Sequence, residues 1–105
     1  YAMSKAAVVS LTQWLAIYLA PAGIRVNAVA PGFFANERSR KLLYTQNGGL
    51  SKRGKSIISH TPMKRFGEAE ELFGGILWLL NDEEASFVTG ITVPVDGGFL
   101  AYSGV

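Results

Sequence analysis

A tyrosine and a lysine stand four residues apart near the start of the sequence, at Tyr1 and Lys5. In a helix, that spacing puts both side chains on one face, about one turn apart. A phenol normally titrates near pH ~10. A neighbouring ammonium group favours the ionised phenol, which would make it useful for proton transfer at working pH. The alternative is an ordinary pair of surface residues, and the spacing alone favours that alternative because such pairs often arise by chance.

The apolar run after Lys5 predicts the element that carries the pair. We expect a helix from Ser4 to Ala20, ended by Pro21 and Gly23. Its apolar residues cover much of the circumference, so we expect burial on more than one side. These residues are Ala6, Ala7, Val9, Leu11, Trp14, Leu15, Tyr18 and Leu19.

Two short apolar segments predict strands, from Ile24 to Ala30 and from Ile91 to Val95. A near-continuous apolar strand directly after a helix is typical of a parallel sheet covered on both faces. Turn residues follow each strand, Pro31-Gly32 after the first and Asp96-Gly97-Gly98 after the second. Ligands bind at the carboxyl ends of strands in open α/β sheets, so we expect a ligand loop at Pro31-Gly32.

The stretch from Phe33 to Pro62 is the least regular part of the sequence, and we interpret it as a mobile lid or an insertion. Within it we expect a short polar helix from Glu37 to Tyr44, a turn at Asn47-Gly48-Gly49 and a turn or two of helix from Lys55 to His60. A longer helix is expected from Glu68 to Asn81. It has an apolar stripe for the core and acidic residues in its first turn, where the helix dipole favours them.

The composition limits the classes of protein to consider. With 105 residues, of which 49% are apolar and 17% charged, the chain fits one core-rich soluble domain at most. A net charge of +2 gives no argument for nucleic acid, and the lack of cysteine excludes disulfides and thiolate metal sites. The longest apolar helix is too short to span a bilayer, and His60, the one histidine, lacks acidic neighbours for a metal site. We therefore predict no nucleic-acid partner, no membrane partner and no metal.

The predicted elements are too few to cover one another. Two strands leave long unpaired edges and cannot bury helices as apolar as these. We therefore interpret the chain as half of a doubly wound α/β domain, whose missing strands come from an absent segment or from other copies of the chain. Because the first residue is tyrosine and not methionine, we also expect a processed chain or a piece of a longer one.

Four motifs occur together in a fixed order along the chain. They are Tyr1-x-x-x-Lys5, Ile24-Arg-Val-Asn-Ala-Val-Ala-Pro-Gly32, Pro62-Met-Lys-Arg-Phe-Gly-Glu68, and Phe87-Val-Thr-Gly90 leading into Val93-Pro-Val-Asp-Gly-Gly98. In this order and spacing they resemble the C-terminal half of the short-chain dehydrogenase/reductase family, over essentially the whole chain. The resemblance implies the C-terminal portion of a Rossmann-like, doubly wound parallel α/β sheet. Residues 1–105 would then form the C-terminal half of a single domain whose N-terminal, cofactor-binding half is absent from this sequence.

The resemblance also implies roles for the opening pair. Tyr1 matches the family's acid/base, which protonates the carbonyl oxygen during reduction and removes the proton during oxidation. Lys5 matches the lysine that makes this tyrosine more acidic and holds the ribose hydroxyls of the nicotinamide cofactor. Both residues are therefore predicted to be catalytic and to bind the cofactor.

Further cofactor-binding residues are implied after the first strand. Pro31 and Gly32 match the loop that lies against the nicotinamide, and the backbone near Phe34 matches the part that meets the carboxamide. Asn36 stands where the family usually has a threonine bonded to that carboxamide, and an amide could still make the bond. Asn27 is expected to brace the sheet rather than to take part in the chemistry.

The cofactor implied is NAD or NADP. We favour NAD slightly, although the residues that decide between them are absent from this sequence, as are the family's Gly-rich turn, catalytic serine and relay asparagine. The pairs Gly48-Gly49, Gly74-Gly75 and Gly97-Gly98 do not replace that turn, because each lacks a strand before it and a helix N-terminus after it. We therefore expect the isolated chain to be inactive.

The resemblance implies an oxidoreductase that acts on a small molecule. The tail after Phe99 and the contexts of Trp14 and Trp78 are most similar to members that interconvert the sugar acids D-fructuronate and D-mannonate. Arg38 and Arg40 are the predicted substrate residues, since guanidinium groups bind carboxylates bidentately. Other candidates for the same role are Lys41, Lys64 and Arg65. A solvated basic surface is the alternative for each of these residues.

The resemblance implies a homo-oligomer, tetrameric in the family, and we predict a cytoplasmic location. Two alternatives remain open for the function. The first is a non-catalytic fragment that associates with itself through its exposed sheet edge. The second is a part of a family member that acts on another sugar or ketone in place of a sugar acid.

Overall fold

The computed structural model describes residues 1–104, and the protein is of the α/β class. Its elements are α1 Ala2–Leu19, β1 Ala28–Pro31, α2 Glu37–Leu43, α3 Lys52–His60, α4 Phe73–Leu80 and β2 Thr92–Val95, with short 3-10 helices at Ala20–Ala22 and Ala69–Leu72. The chain divides into two compact units. The first contains Tyr1–Ala30 and Gly74–Val93, and the second contains Pro31–Phe73 and the residues from Pro94 onward.

Helix α1 belongs to the first unit and confirms the helix predicted at the start of the chain. A 3-10 turn that contains Pro21 follows it, and Gly23 ends that turn in the left-handed conformation, with φ 73°. Thr12 and Ala16 are buried, and the Thr12 hydroxyl donates to the Val8 carbonyl at 2.8 Å. The predicted burial on more than one side is not met within residues 1–104, because the described elements are too few to cover this helix. Five of its large apolar side chains are more than half exposed, namely Met3, Leu11, Trp14, Ile17 and Tyr18.

The first strand starts later than predicted. Strand β1 begins at Ala28 and not at Ile24, because a side chain takes over the hydrogen bonds just before the strand. The Asn27 amide donates to the Val88 carbonyl at 3.0 Å and accepts from the Ile91 N–H at 3.2 Å. Asn27 therefore braces the sheet, as predicted.

Strands β1 and β2 form a two-stranded sheet. In the first unit the Ala28 N–H donates to the Ile91 carbonyl, and in the second the Gly32 N–H donates to the Val95 carbonyl, each at 2.9 Å. Donor and acceptor advance together along the two strands, which is the register of a parallel pair. The predicted parallel pairing is confirmed.

The helix predicted from Glu68 to Asn81 is divided in the structure. A 3-10 turn covers Ala69–Leu72, and α4 covers Phe73–Leu80. The Glu71 carboxylate accepts from the Glu68 N–H at 2.8 Å, which closes a tight first turn before the α-helix begins. Such 3-10 turns are frequent at the N-termini of α-helices.

In the second unit, α2 and α3 pack against each other around a small core of Leu43, Ile57 and Phe66. Helix α3 begins before the predicted start at Lys55, because the Ser51 hydroxyl accepts from the Gly54 N–H at 3.0 Å and caps the helix. This core supports the loop after β1, since Phe33 and Ala35 pack against it.

A hairpin joins α2 to α3. Tyr44 and Leu50 form a single antiparallel bridge, and the Thr45 N–H donates to the Gly49 carbonyl at 2.7 Å. Gly48 has φ 80°, so the predicted Asn-Gly-Gly turn is confirmed. None of the helices within residues 1–104 has the length and hydropathy needed to cross a membrane.

Candidate active site

The structure brings Tyr1 and Lys5 together at the start of α1. Tyr1 is the N-cap residue, and its carbonyl accepts from the Lys5 N–H at 3.1 Å and from the Ser4 hydroxyl at 2.7 Å. The Lys5 ammonium nitrogen lies 5.5 Å from the centroid of the Tyr1 ring, within the range of a cation–π contact. The Tyr1 side chain is 96% exposed. The ammonium group thus lies over the phenol ring, and both residues are exposed.

The predicted ligand loop begins where β1 ends. A Cβ atom on Gly32 would come within 2.6 Å of Asp96 Cα, so only glycine allows the backbone after β1 to approach the backbone after β2 this closely. The Asp96 carboxylate accepts from the Gly98 and Leu100 N–H groups, each at 2.8 Å. Asp96 therefore organises the predicted turn.

The backbone at Phe34 is held from one side. The Gly67 N–H donates to the Phe33 carbonyl at 2.9 Å, and the Ala35 N–H donates to the Gly67 carbonyl at 3.3 Å. These two bonds make an isolated parallel bridge between Phe34 and Gly67. The Phe34 carbonyl accepts from the Ser39 hydroxyl at 3.0 Å. Within residues 1–104 the Phe34 N–H donates to no acceptor.

Asn36 has a structural role that sequence reasoning missed. Its side-chain oxygen accepts from the Ser39 N–H at 2.8 Å, and its own N–H donates to the Ser39 hydroxyl at 2.9 Å. This is a reciprocal capping box at the N-terminus of α2. The signal was present in the sequence, since an Asn directly before a predicted helix is typical of an N-cap residue. The side-chain NH2 group donates to nothing within residues 1–104, so of the two ends of the amide only the oxygen is used to cap the helix.

The two predicted substrate arginines lie on α2, and both are exposed. Arg38 and Arg40 are two residues apart, and side chains at that spacing do not face each other on a helix. The structure therefore does not bring them together. Lys64 is engaged elsewhere, because its ammonium donates to the Ser59 carbonyl at 3.0 Å. Among the described residues, no cluster of three histidine or carboxylate side chains is suited to hold a metal.

Arg65, another candidate for an anionic substrate, forms an ion pair with Glu71. Its guanidinium donates two parallel bonds to the Glu71 carboxylate, at 2.7 and 2.6 Å. The hydrogen bond from Arg65 lowers the pKa of Glu71 to about 2, with help from the Glu68 N–H. The same bond raises the pKa of Arg65 above its ordinary value. The pair lines a cavity of about 100 Å³ together with Phe33, Phe34 and Asp96.

The predicted site residues are distributed over both units. Tyr1 and Lys5 belong to the first unit, and the remaining six belong to the second. Those six are Pro31, Gly32, Phe34, Asn36, Arg38 and Arg40. Within the second unit, the structure joins Phe34 to Asn36 through Ser39, which bonds to both.

Comparison with known sequences identifies the class of protein to which this chain belongs. A family model described as enoyl-(acyl carrier protein) reductase matches residues 1–100. The chain therefore belongs to the short-chain dehydrogenase/reductase family. It is similar to an uncharacterised oxidoreductase of Bacillus subtilis, UxuB, with 52% identity over all 105 residues. The chain spans 38% of the length of that relative.

Solved structures agree with this class. The chain is similar to a Haemophilus influenzae protein inferred to be a D-mannonate oxidoreductase, whose structure holds NAD, with a TM-score of 0.94 and 48% identity. The match covers 100% of this chain and 38% of that one. A second similar structure, from Agrobacterium tumefaciens, holds NADP and was inferred to be a 2-deoxy-D-gluconate 3-dehydrogenase. Its TM-score is 0.82 and its identity 35%, over 96% of this chain and 39% of that one.

Proposed function

We propose that the whole protein is a nicotinamide-dependent oxidoreductase in which Tyr1 transfers the proton and Lys5 assists it. The observation that supports this best is the Tyr1–Lys5 pair itself, exposed at the start of α1 in a chain of this family. The proposal concerns the whole protein, because the chain spans 38% of its relative's length. We propose that residues 1–105 form the C-terminal half of a single domain, and that the isolated chain does not turn over substrate.

The proposed chemistry of the pair follows from its groups. In reduction the Tyr1 hydroxyl donates its proton to the carbonyl oxygen of the substrate, and in oxidation the phenolate takes the proton from the alcohol. The Lys5 ammonium stabilises the negative charge that develops on the phenol oxygen, and its N–H groups are donors for the ribose hydroxyls. The nicotinamide, when bound, supplies or accepts the hydride.

The described residues fit a nicotinamide carboxamide. That group presents a carbonyl oxygen, which requires donors. The donors of the second unit that have no partner within residues 1–104 include the Phe34 N–H and the side-chain NH2 group of Asn36. We propose that both bind the carboxamide, and that Pro31 and Gly32 provide the surface on which the ring lies. Because the Asn36 oxygen already caps α2, only the NH2 group of Asn36 contributes to cofactor binding in this proposal.

We propose a sugar acid as the substrate, with D-fructuronate and D-mannonate as the ketone and alcohol. Support comes from the similarity to the inferred D-mannonate oxidoreductase, at a TM-score of 0.94. The exposed guanidinium groups of Arg38 and Arg40 are suited to the substrate carboxylate. Since the two do not face each other, we propose that only one of them contacts it.

A second candidate substrate is another sugar acid or a different ketone. The similarity to the inferred 2-deoxy-D-gluconate 3-dehydrogenase favours this alternative. The test is turnover by the whole protein with D-fructuronate, D-gluconate-derived ketones and a steroid ketone, each with NADH and with NADPH. The first proposal predicts the highest kcat/KM for D-fructuronate with NADH, since the structure with the TM-score of 0.94 holds NAD. A higher value for another ketone would contradict the choice of substrate and leave the class of reaction unchanged.

We also propose that the protein is a cytoplasmic homo-oligomer. The exposed apolar side chains of α1 and of α4 support self-association, because large apolar patches on a soluble protein commonly mark contact surfaces. On α4 the exposed residues include Phe73, Leu77 and Leu80. Light scattering on the whole protein tests the proposal, and a monomer at micromolar concentration would contradict it.

A further inference from the structure

We infer that the Arg65–Glu71 ion pair is a positioning device for the segment Phe33–Ala35, and that it tunes the affinity for the nicotinamide cofactor through that segment. The inference rests on the proposed function, because it takes the Phe34 backbone as a cofactor contact. Neither charged residue touches the reacting atoms in this account. Both act through the backbone between them.

The ion pair closes a short loop around Gly67. Its two parallel bonds match the guanidinium fork to the carboxylate, which adds geometric specificity to the charge attraction. Each partner is also tied to the backbone inside the loop. Arg65 donates to the Phe66 carbonyl at 3.1 Å, and Glu71 accepts from the Glu68 N–H at 2.8 Å. The peptide groups on both sides of Gly67 are therefore fixed by one pair of side chains.

Gly67 carries this order to the segment Phe33–Ala35. Its N–H and its carbonyl make the two bonds of the isolated bridge, to Phe33 and Ala35. A single bridge has no neighbouring ladder bonds to support it, so its persistence depends on what holds Gly67. Before Gly67, the chain is held by Phe66, which is buried with its ring edge-on to that of Tyr44 at 5.9 Å between centroids. After Gly67, the chain is held by the Glu71 contacts described above and by the Glu71 N–H, which donates to the Glu68 carbonyl at 2.9 Å.

Because the pair is exposed, its effect on the position of the backbone can be distinguished from its effect on the global stability of the protein. The side chains of Arg65 and Glu71 are 47% and 40% exposed, and ion pairs as exposed as this contribute little to global stability. The loss of the pair is therefore expected to loosen the bridge without unfolding the protein. The Phe34 N–H belongs to the same peptide group as the Phe33 carbonyl, which accepts from Gly67 in this bridge. The position of the N–H toward a ligand carbonyl therefore depends on the ion pair.

The test compares Glu71→Gln with Glu70→Gln in the whole protein. Both changes remove one negative charge from the same turn, and Glu70 is not bonded to Arg65. Amide hydrogen exchange, measured by NMR without cofactor, is expected to be about tenfold faster at Gly67 and Ala35 in Glu71→Gln, because local opening sets these rates. The Kd and the KM for NADH are expected to rise several-fold while kcat stays within about twofold, the pattern of a change in cofactor binding. Glu70→Gln is expected to change none of these quantities.

A second variant guards against loss of folding in Glu71→Gln. Arg65→Lys keeps the charge but cannot make the bidentate contact, and it is expected to accelerate exchange at the same two amides by a smaller factor. Exchange at Gly67 and Ala35 that is unchanged in both variants, or equally faster in Glu70→Gln, would overturn the inference. Faster exchange with an unchanged Kd for NADH would also overturn it. Unaltered protein that binds neither NADH nor NADPH would contradict the proposed function, a result that the cofactor titration reports independently of the exchange rates.

Discussion

The ring of Phe34 lies against Gly67 so closely that a Cβ atom on residue 67 would come within 2.5 Å of the ring carbon Cε1. The same two residues form the isolated parallel bridge. The space for this ring exists because residue 67 has no side chain. Backbone pairing and ring packing therefore depend on one pair of residues, in the loop proposed to meet the nicotinamide.

The first prediction concerns the size of residue 67. Gly67→Ala forces the Phe34 ring or the backbone to move, and overpacking of this kind typically costs about 1–3 kcal/mol. Urea denaturation of the whole protein measures the loss. Gly74→Ala in α4 is the matched control, because a Cβ there meets nothing within 4 Å, and alanine stabilises a helix by roughly 0.5–1 kcal/mol over glycine. Equal stabilities of the two variants would contradict the packing described here.

The second prediction separates the two ends of the Asn36 amide. Asn36→Asp keeps an oxygen for the Ser39 N–H and removes the NH2 group, so we expect unchanged stability and weaker binding of NADH. Asn36→Ala removes the cap as well and is expected to cost about 1 kcal/mol of stability, the usual loss for an N-cap residue. Thermal denaturation and calorimetric titration of the whole protein measure the two effects.

The Ser39 side chain provides the control for this experiment. Ser39→Ala removes the hydroxyl that bonds to Asn36 and Phe34 but leaves the NH2 group of Asn36 in place. We expect it to lower stability more than cofactor affinity. If Asn36→Asp binds NADH as tightly as the unaltered protein, the NH2 group of Asn36 has no part in cofactor binding.

The third prediction is a pH dependence of the Arg65–Glu71 pair. The pKa of Glu71 is lowered from 4.5 to about 2, first by the hydrogen bond from Arg65. Because the folded state binds this proton less readily than the unfolded state, the pair stabilises the fold fully above pH 4.5, and its contribution is lost as the pH falls toward 2. The difference in unfolding free energy between unaltered protein and Glu71→Gln is expected to be small, since the pair is exposed, to be constant above pH 4.5 and to shrink below it. A difference that shrinks between pH 7 and 5 would contradict the prediction.

The fourth prediction concerns the isolated 105-residue chain. The sequence contains no Gly-rich phosphate turn, and the exposed apolar faces of α1 and α4 favour self-association. We expect no heat of binding for NADH in calorimetry and an oligomer by light scattering. Tight binding with turnover of D-fructuronate would show that the missing family features are not required.

Local patterns predicted most of the elements because they are determined by residues close in sequence. The apolar run after Lys5 and the Pro21–Gly23 stop define α1, and the Asn-Gly-Gly turn follows from the need for positive φ. The start of β1 was wrong, because Asn27 bonds to residues more than sixty positions away, and a single sequence gives no sign of such contacts. The split of the last helix was missed for the opposite reason. Its cause is local, a capping contact between Glu68 and Glu71 that the acidic composition alone does not distinguish from dipole stabilisation.

The candidate site was predictable only in part. The Tyr1–Lys5 spacing and the turn after β1 identify residues by type, and the family motifs give them roles. The bridge between Phe34 and Gly67 joins segments over thirty positions apart in sequence, so its dependence on Arg65 and Glu71 required coordinates. Sequence reasoning placed Arg65 among the candidates for an anionic substrate, and the structure gives its guanidinium to Glu71 instead.

The central claim is that Tyr1 transfers the proton, and the most direct test is the turnover of the Tyr1→Phe variant of the whole protein. The ring is kept and only the hydroxyl is lost, so we expect kcat/KM for D-fructuronate and NADH to fall by about 10²–10⁴-fold, far more than the Kd for NADH changes. Tyr18→Phe, which removes a hydroxyl from another exposed tyrosine of α1, is the control and is expected to retain full activity. Turnover by Tyr1→Phe equal to that of Tyr18→Phe would contradict the account.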